Sequence, residues 1–320
     1  MKCLVAGGAG FIGSHLIDRM AGSGWEVTVV DNLVTGNLKN LENVRPKVDF
    51  FNSDIADFKT NTEFDMVFHL AAIANPNDYV ADQYNVLRAS SFGTDNLLRI
   101  AEKSSARFCY ISSSEVYGHR CTKPEISVYE DSFSDVSLLN ERSPYFVGKM
   151  FSEEYVKAFC TMKDIDHVII RPFNIYGTRM DSRSVYGRVV TNFFRQAASG
   201  HPLTINGDGE QTRSFCHVDD FVDALILLTD TCHWKHHVLN VGNPNNVTIN
   251  SLAKKISLLF GNELKIEKRP SVPFEPRHRR PKIDRVHEWL GWAPKTNLDD
   301  GLHDIFEEEY SAGAQGTKSK

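Results

Sequence analysis

The sequence predicts an α/β fold, a doubly wound parallel sheet in the first half of the chain with a smaller lobe after it. Two observations carry this. Short β-branched runs alternate with segments of helical length from the first residues onward. A glycine-rich turn, Gly7-Gly8-Ala9-Gly10-Phe11-Ile12-Gly13, stands between the first run and the first helical segment. The candidate strands cover residues 2–6, 26–31, 47–52, 66–70, 107–112 and 167–171. Each is short and apolar, as strands covered on both faces must be. Residues 11–23, 86–103 and 144–162 have helical length and apolar spacing, and Pro144 stands where its fixed φ suits a helix start.

After Pro172, glycine and proline punctuate shorter elements and the alternation loses its regularity. The predicted organisation is a nucleotide-binding sheet domain over residues 1–172, to which some later segments return, and a second lobe over 173–312. Residues 313–320 are small and polar and read as a frayed tail. Trp289 and Trp292 are expected to pack the second lobe. No internal repeat is visible.

Composition narrows the function. The 320 residues carry 36 Lys+Arg against 41 Asp+Glu, a net charge of −5, with 41% hydrophobic and 24% charged residues. That is ordinary globular composition, and it excludes disordered and fibrous classes. Its acidic balance argues against general nucleic-acid affinity, although the run Arg277-His278-Arg279-Arg280 suits one small anion. No apolar run approaches the roughly 20 residues needed to span a bilayer, and glycines interrupt the start too early for a signal peptide. The expected location is the cytoplasm. Cys3, Cys109, Cys121, Cys160, Cys216 and Cys232 are scattered without a paired spacing, which predicts reduced thiols rather than disulfides or zinc. The segment Cys232-His233-Trp234-Lys235-His236-His237 has no second cluster at ligand spacing, so no metal is expected.

The glycine turn is informative because of its place. Glycines at 7, 10 and 13 permit a tight turn, a close backbone approach to a pyrophosphate and close helix packing, while the helix N-terminus offers unpaired N–H groups. The second strand ends at Asp31, 18 residues after Gly13 (31 − 13), where a carboxylate bonds ribose hydroxyls and repels a 2′-phosphate. The arrangement predicts NAD as cofactor. Further on, Tyr145 and Lys149 stand four residues apart on a predicted helix and so share one face. An ammonium beside a phenol there would favour a working base.

With these motifs in view, the chain resembles the extended short-chain dehydrogenase/reductases that act on nucleotide sugars. The resemblance covers nearly the whole chain: GGAGFIG at 7–13, DNLVTGN at 31–37, HLAA at 69–72, SSSEVYG at 112–118, YFVGK at 145–149, RPFNIYGTRM at 171–180, GDGEQTRSFCHVDD at 207–220 and LGWAPKTNLDDGL at 290–302. It implies a Rossmann sheet and NAD contacts on Gly7, Gly10, Phe11, Ile12, Gly13, Asp31, Asn32, Gly36 and Asn37. Further NAD contacts are implied on Asp54, Ile55, Leu70, Ala71, Ala72, Tyr145, Lys149 and Pro172. By the same resemblance Tyr145 takes the C4 hydroxyl proton of the sugar, Lys149 anchors the nicotinamide ribose and tunes Tyr145, and Ser113 bonds the C4 oxygen.

Three reactions follow from a 4-keto sugar, and the residues after Ser113 discriminate among them. Simple 4-epimerases resemble small or apolar residues where Glu115 stands. Hexose 4,6-dehydratases resemble Thr-Asp-Glu, because eliminating water needs an acid for the leaving hydroxyl. Nucleotide-glucuronate decarboxylases resemble Thr/Ser-Ser-Glu, as in Ser113-Ser114-Glu115 here. The second lobe, from Gly187-Arg188-Val189 through Gln211-Thr212-Arg213 to Asn240-Val241-Gly242, also resembles UDP-xylose synthases. This similarity implies UDP-glucuronate decarboxylation to UDP-xylose, with a 4,6-dehydratase and then a 4-epimerase as alternatives. Asn174, Arg188, Val189 and Arg213 would surround the nucleotide, Glu115 and Ser113 would orient the ring, and Arg279 would meet the substrate carboxylate or diphosphate. A non-catalytic nucleotide-binding protein is the alternative of another class, and it would have no need of Tyr145, Lys149 and Glu115. In relatives, the helices at 86–103 and 144–162 pair across a two-fold axis, which implies a homodimer.

Overall fold

The computed structural model describes residues 1–118, 127–132, 134, 136–138, 141–180, 188–231, 234, 237–261, 265–271 and 276–311. Cys121, Cys232, His233, Lys235, His236, Gly187 and the tail at 313–320 lie outside the described residues.

The first half runs β1 (Lys2–Ala6), α1 (Phe11–Gly22), β2 (Glu26–Asp31), β3 (Val48–Asn52), β4 (Met66–His69), α2 (Pro76–Ala81), α3 (Gln83–Arg88), α4 (Thr94–Ser104), β5 (Arg107–Ile111), α5 (Ser143–Lys163) and β6 (His167–Pro172). The remainder runs β7 (Ile175–Tyr176), α6 (Val189–Ala198), β8 (Leu203–Asn206), β9 (Thr212–Ser214), β10 (Cys216–His217), α7 (Val218–Thr229), β11 (His237–Val241), β12 (Asn246–Thr248), α8 (Ile249–Leu259), β13 (Ile266–Arg269), α9 (Asp284–Leu290) and α10 (Leu298–Glu309). Seven parallel strands form the main sheet in the order β11-β6-β5-β4-β1-β2-β3. The order reverses between β1 and β4, and in such sheets ligands bind at that crevice, beyond the carboxyl ends of the strands.

Side-chain alternation explains the layers. Cys3 and Val5 of β1 point into one core with Leu16, Ile17, Phe221 and Leu225 of α1 and α7. Leu4 and Ala6 point into the other, with Leu97, Leu98, Val156 and Phe159 of α4 and α5. Both faces are covered, hence the near-continuous apolar strands. A separate core built on α6, α8 and α10 fills the second lobe, and Phe11 at the start of α1 packs against both it and the sheet core.

The seventh strand, β11, comes from far beyond residue 172 and pairs with β6 in parallel. Two expectations need correction. Trp292 is buried in the sheet core, its indole N–H donating to Asp220 O at 2.9 Å, and Trp289 packs beside it, so neither fills the second lobe. The helix expected over 86–103 is interrupted by a π-helical turn at Ala89–Gly93. There Ser90 and Ser91 donate back to the carbonyls of Val86 and Leu87, which competes with the helical ladder. Helix α5 crosses at this point: a Cβ on Gly148 would lie 2.7 Å from Ser90 Oγ.

Cys3, Cys109, Cys160 and Cys216 are buried and free. Among the described residues no helix is long and apolar enough to cross a membrane, and no group of three His, Cys, Asp or Glu side chains could hold a metal ion.

Candidate active site

The turn after β1 has no room for side chains. Gly7 adopts φ +81°, and a Cβ there would lie 2.6 Å from Ala71 N and Cα; a Cβ on Gly13 would lie 2.3 Å from Gly7 O. Gly10 caps α1 without a side-chain bond, and the first turn of α1 carries no acidic residue, so its N–H groups and positive end face the cleft unopposed. Asp31, at the end of β2, accepts from Ala9 N at 3.0 Å and Leu33 N at 2.8 Å. Burial pushes its carboxyl up, and these two N–H bonds oppose the shift. Asn37 closes the loop by donating its N–H to Ala9 O.

A cleft of about 560 Å³ opens above these elements. Gly7, Gly10, Phe11, Ile12 and Gly13 form its floor, and Asp31, Asn32, Asn37, Asp54 and Ile55 line one end. Leu70, Ala71 and Ala72, following β4, lead from there toward Ile111 and Arg188. Gly36 backs Asp31 instead of lining the wall, since a Cβ there would lie 2.7 Å from Asp31 Oδ1. Pro172, the last residue of β6, pairs with Val241 and is not a wall residue.

Beyond Ile111 the chain turns through a short 3₁₀ segment, Ser114–Tyr117, capped by Ser113, whose hydroxyl accepts from Glu115 N at 3.1 Å. Helix α5 faces this turn. The Tyr145 phenol is buried, hydrogen-bonded to Ser113, and stacked on Tyr79 with ring centroids 4.8 Å apart at 10°. Burial raises its pKa, while the Ser113 bond and the charges of Arg188 and Arg142 oppose that. Lys149 donates to Ile111 O at 2.7 Å, and burial lowers its pKa to about 7.

Glu115 accepts from Arg279 Nη1 at 2.6 Å. Burial alone would raise its pKa, but Arg279, then Arg142 and Arg213, hold it at about 2. Arg279 is itself buried and uses Nη2 on Gly118 O at 3.0 Å. The rest of the basic run is spent elsewhere: Arg277 pairs with Asp208 and His278 with Thr212. Arg188, the residue before α6, lies over the Phe11 ring at 5.6 Å and lines the cleft, while Val189 starts α6 beside the second-lobe core. Asn174 donates to Ser214 O at 3.0 Å and Arg213 to Thr212 O at 2.9 Å, so both are anchored to the rim strand β9.

The structure thus brings Ser113, Glu115, Tyr145 and Arg279 together, with Lys149 one helical turn behind. Sequence reasoning missed four residues of this centre. Tyr79 and Arg142 stack and hydrogen-bond beside Tyr145, the Arg142 Nε donating to Tyr79 Oη at 2.8 Å. Glu153 and Arg171 pair behind it at 2.5 Å. Two of them had a local signal: Arg142 stands three residues before Tyr145 at the start of the helix, and Glu153 is the next step in the four-residue spacing of Tyr145 and Lys149.

A sequence model of the NAD dependent epimerase/dehydratase family matches residues 3–242. The chain belongs to that family. Among curated members it is 37% identical over 316 residues to UDP-glucuronic acid decarboxylase 3 of Arabidopsis thaliana, covering 97% of this chain and 89% of that protein. Among solved members, the UDP-glucose 4-epimerase of Thermotoga maritima with UDP-glucose is 29% identical with a TM-score of 0.87, covering 96% of this chain and 98% of that one. The UDP-glucuronic acid 4-epimerase of Bacillus cereus, solved with UDP-glucuronic acid and NAD, is 28% identical with a TM-score of 0.85 and the same coverages. The family's cofactor fits what the residues offer: a glycine turn with no room for a Cβ at Gly7 or Gly13, an uncapped helix N-terminus and a carboxylate at the end of β2.

Proposed function

We propose that the chain is an NAD-dependent UDP-glucuronate decarboxylase that forms UDP-xylose through a 4-keto intermediate. The observation that carries this reading is the Glu115–Arg279 pair in a Ser-Ser-Glu turn, surrounded by Arg142, Arg188 and Arg213. The cations outnumber the single carboxylate among them, which suits a substrate bearing both a diphosphate and a sugar carboxylate. Similarity to a decarboxylase over nearly the full chain supports the same choice.

In this reading Gly7, Gly10 and Gly13 admit the cofactor pyrophosphate, Asp31 receives its ribose hydroxyls and Lys149 its nicotinamide ribose. When bound, NAD supplies the acceptor and later the donor of the C4 hydride. Tyr145 takes the C4 hydroxyl proton, and Ser113, bonded to the phenol, fixes the C4 oxygen. Glu115, held ionised by Arg279, orients the ring and does not donate a proton at neutral pH. A ketone at C4 makes the sugar a β-keto acid, so carbon dioxide leaves without a protein acid for a hydroxyl, its bonding pair passes into a C4–C5 enolate, and that enolate takes a proton at C5 before C4 is reduced. Ser114 in place of an aspartate is consistent with that. Arg279, buried and engaged by Glu115 and Gly118, holds Glu115 in place rather than meeting the sugar carboxylate itself, while Asn174, Arg188, Val189 and Arg213 flank the nucleotide.

The partner we propose is a second copy of the chain. Helices α3 and α5 and the π turn expose Tyr84, Leu87, Phe92, Phe151 and Met162, a set of large apolar side chains on neighbouring helices.

The reading is tested by incubating the purified protein with NAD and, separately, UDP-glucuronate, UDP-glucose, UDP-N-acetylglucosamine and dTDP-glucose. Loss of carbon dioxide from UDP-glucuronate alone is the expected result. Loss of water from a neutral hexose would identify a 4,6-dehydratase. An unchanged mass with altered stereochemistry would identify a 4-epimerase, a reading that the similarity to a UDP-glucuronic acid 4-epimerase keeps in play.

A further inference from the structure

Helix α5 is fastened to the end of β5 by three residues spaced four apart on one face. Tyr145 bonds Ser113, Lys149 donates to Ile111 O at 2.7 Å, and Glu153 Oε1 accepts from Ser112 Oγ at 2.5 Å. The third lies outside the chemistry described above. Its carboxylate is buried, 3% exposed, and its other side is held by Arg171 through two bonds, Nε to Oε1 at 2.9 Å and Nη2 to Oε2 at 2.5 Å. Arg171 also donates from Nη1 to Tyr117 Oη and to Glu130 O, each at 2.9 Å. Tyr117 closes the 3₁₀ segment that carries Glu115, and its hydroxyl donates to Asn240 Oδ1 at 2.7 Å. One carboxylate therefore ties down both ends of the segment Ser112–Tyr117, directly at Ser112 and through Arg171 at Tyr117.

We propose that Glu153 is a positioning residue of the active site: through Ser112 and Arg171 it sets the place of Ser113 and Glu115 relative to Tyr145. The proposal rests on the reading of Ser113, Glu115, Tyr145 and Lys149 as the working groups. It has a second consequence, for Lys149. The ammonium is faced by Ile111 O and the Tyr110 ring of β5, the latter 4.9 Å from Nζ, by His69 of β4, and by Glu153 on its own helix. His69 is kept neutral by burial and then by Lys149 itself. Glu153 is the anion in this set, and it opposes the burial that lowers Lys149.

The test compares wild type with Glu153→Asp, Glu153→Gln and Ser112→Ala, each checked by thermal unfolding and NAD affinity. Glu153→Gln should lower kcat about tenfold or more with KM nearly unchanged. It should also move the Lys149 amine titration, followed by nitrogen NMR without substrate, to lower pH, and Glu153→Asp should return it toward wild type. A folded Glu153→Gln protein with wild-type kcat and wild-type titration overturns the proposal. If Glu153→Gln does not fold, Ser112→Ala decides, because it leaves Arg171 paired. A kcat lowered about threefold or more at unchanged NAD affinity supports the proposal, and a wild-type kcat overturns it. The titration requires no turnover, so it judges Glu153 even if UDP-glucuronate proves not to be the substrate.

Discussion

Arg279 Nη1 lies 2.6 Å from Glu115 Oε1, an ion pair between residues 164 positions apart that joins the C-terminal part of the chain to the turn after β5. Glu115 keeps about 30% of its side chain exposed while Arg279 keeps 5%, so the carboxylate is the more accessible partner and the guanidinium is the buried one. Removing Arg279 leaves a carboxylate at the site without its main counter-charge. Arg279→Ala should lower kcat/KM about a hundredfold or more, and Arg279→Lys should recover only part, because a lysine cannot reproduce two directed bonds to Glu115 and Gly118. Steady-state kinetics on the folded variants checks this.

The same pair makes an acid-stability prediction. Glu115 titrates at about 2 in the folded protein against an ordinary value of 4.5. A carboxyl with a depressed folded pKa adds stability above its unfolded pKa and loses it as pH falls toward the folded one. The contribution, at most about 3 kcal/mol, should be complete above pH ~5 and vanish by pH ~2. Urea unfolding across that range should show a smaller acid-induced loss in Glu115→Gln than in wild type. An identical loss would remove the pair from the account of stability.

Gly13→Ala should weaken NAD binding about ten- to a hundredfold, since the new Cβ would meet Gly7 O at 2.3 Å and force the turn open. Gly22→Ala serves as its control. Nothing lies within 4 Å of a Cβ there, so NAD affinity should stay at the wild-type level. Titration calorimetry on both variants separates a filled cradle from a general effect of losing glycine.

Tyr79 stacks flat on Tyr145 and receives the Arg142 bond. Tyr79→Phe keeps the stack and should cost little in kcat, while Tyr79→Ala removes the plate under the phenol and should lower kcat about tenfold. Equal kcat in the two variants would show that the stack does not position Tyr145.

Much of this centre was legible because its signals are local. Gly7, Gly10 and Gly13 follow a strand and open a helix, and Tyr145 and Lys149 sit four apart on one face; both patterns encode their geometry within a few residues. The six strands of the first half announced themselves by apolar runs bounded by turns. β11 did not, because His237–Val241 mixes His237 and Asn240 into its apolar residues and lies outside the regular strand–helix alternation of the first half. The π turn at Ala89–Gly93 was hidden for a similar reason, since it depends on serine hydroxyls and on the close pass of Gly148. Tyr79 and Arg171 come from separate segments and carry no spacing that links them to Tyr145, whereas Arg142 caps the same helix three residues before it. Arg279 was read as a ligand for substrate anions, and its engagement with Glu115 and Gly118 became visible only in three dimensions.

The most direct test of the account follows the sugar carboxylate itself. The purified protein is supplied with catalytic NAD and UDP-glucuronate isotopically labelled at that carboxylate, and label is traced in released gas and in the nucleotide product. The account predicts one labelled carbon dioxide for each pentose nucleotide formed, and none from the Tyr145→Phe variant. Label retained in a six-carbon product, whether epimerised or dehydrated, would contradict it.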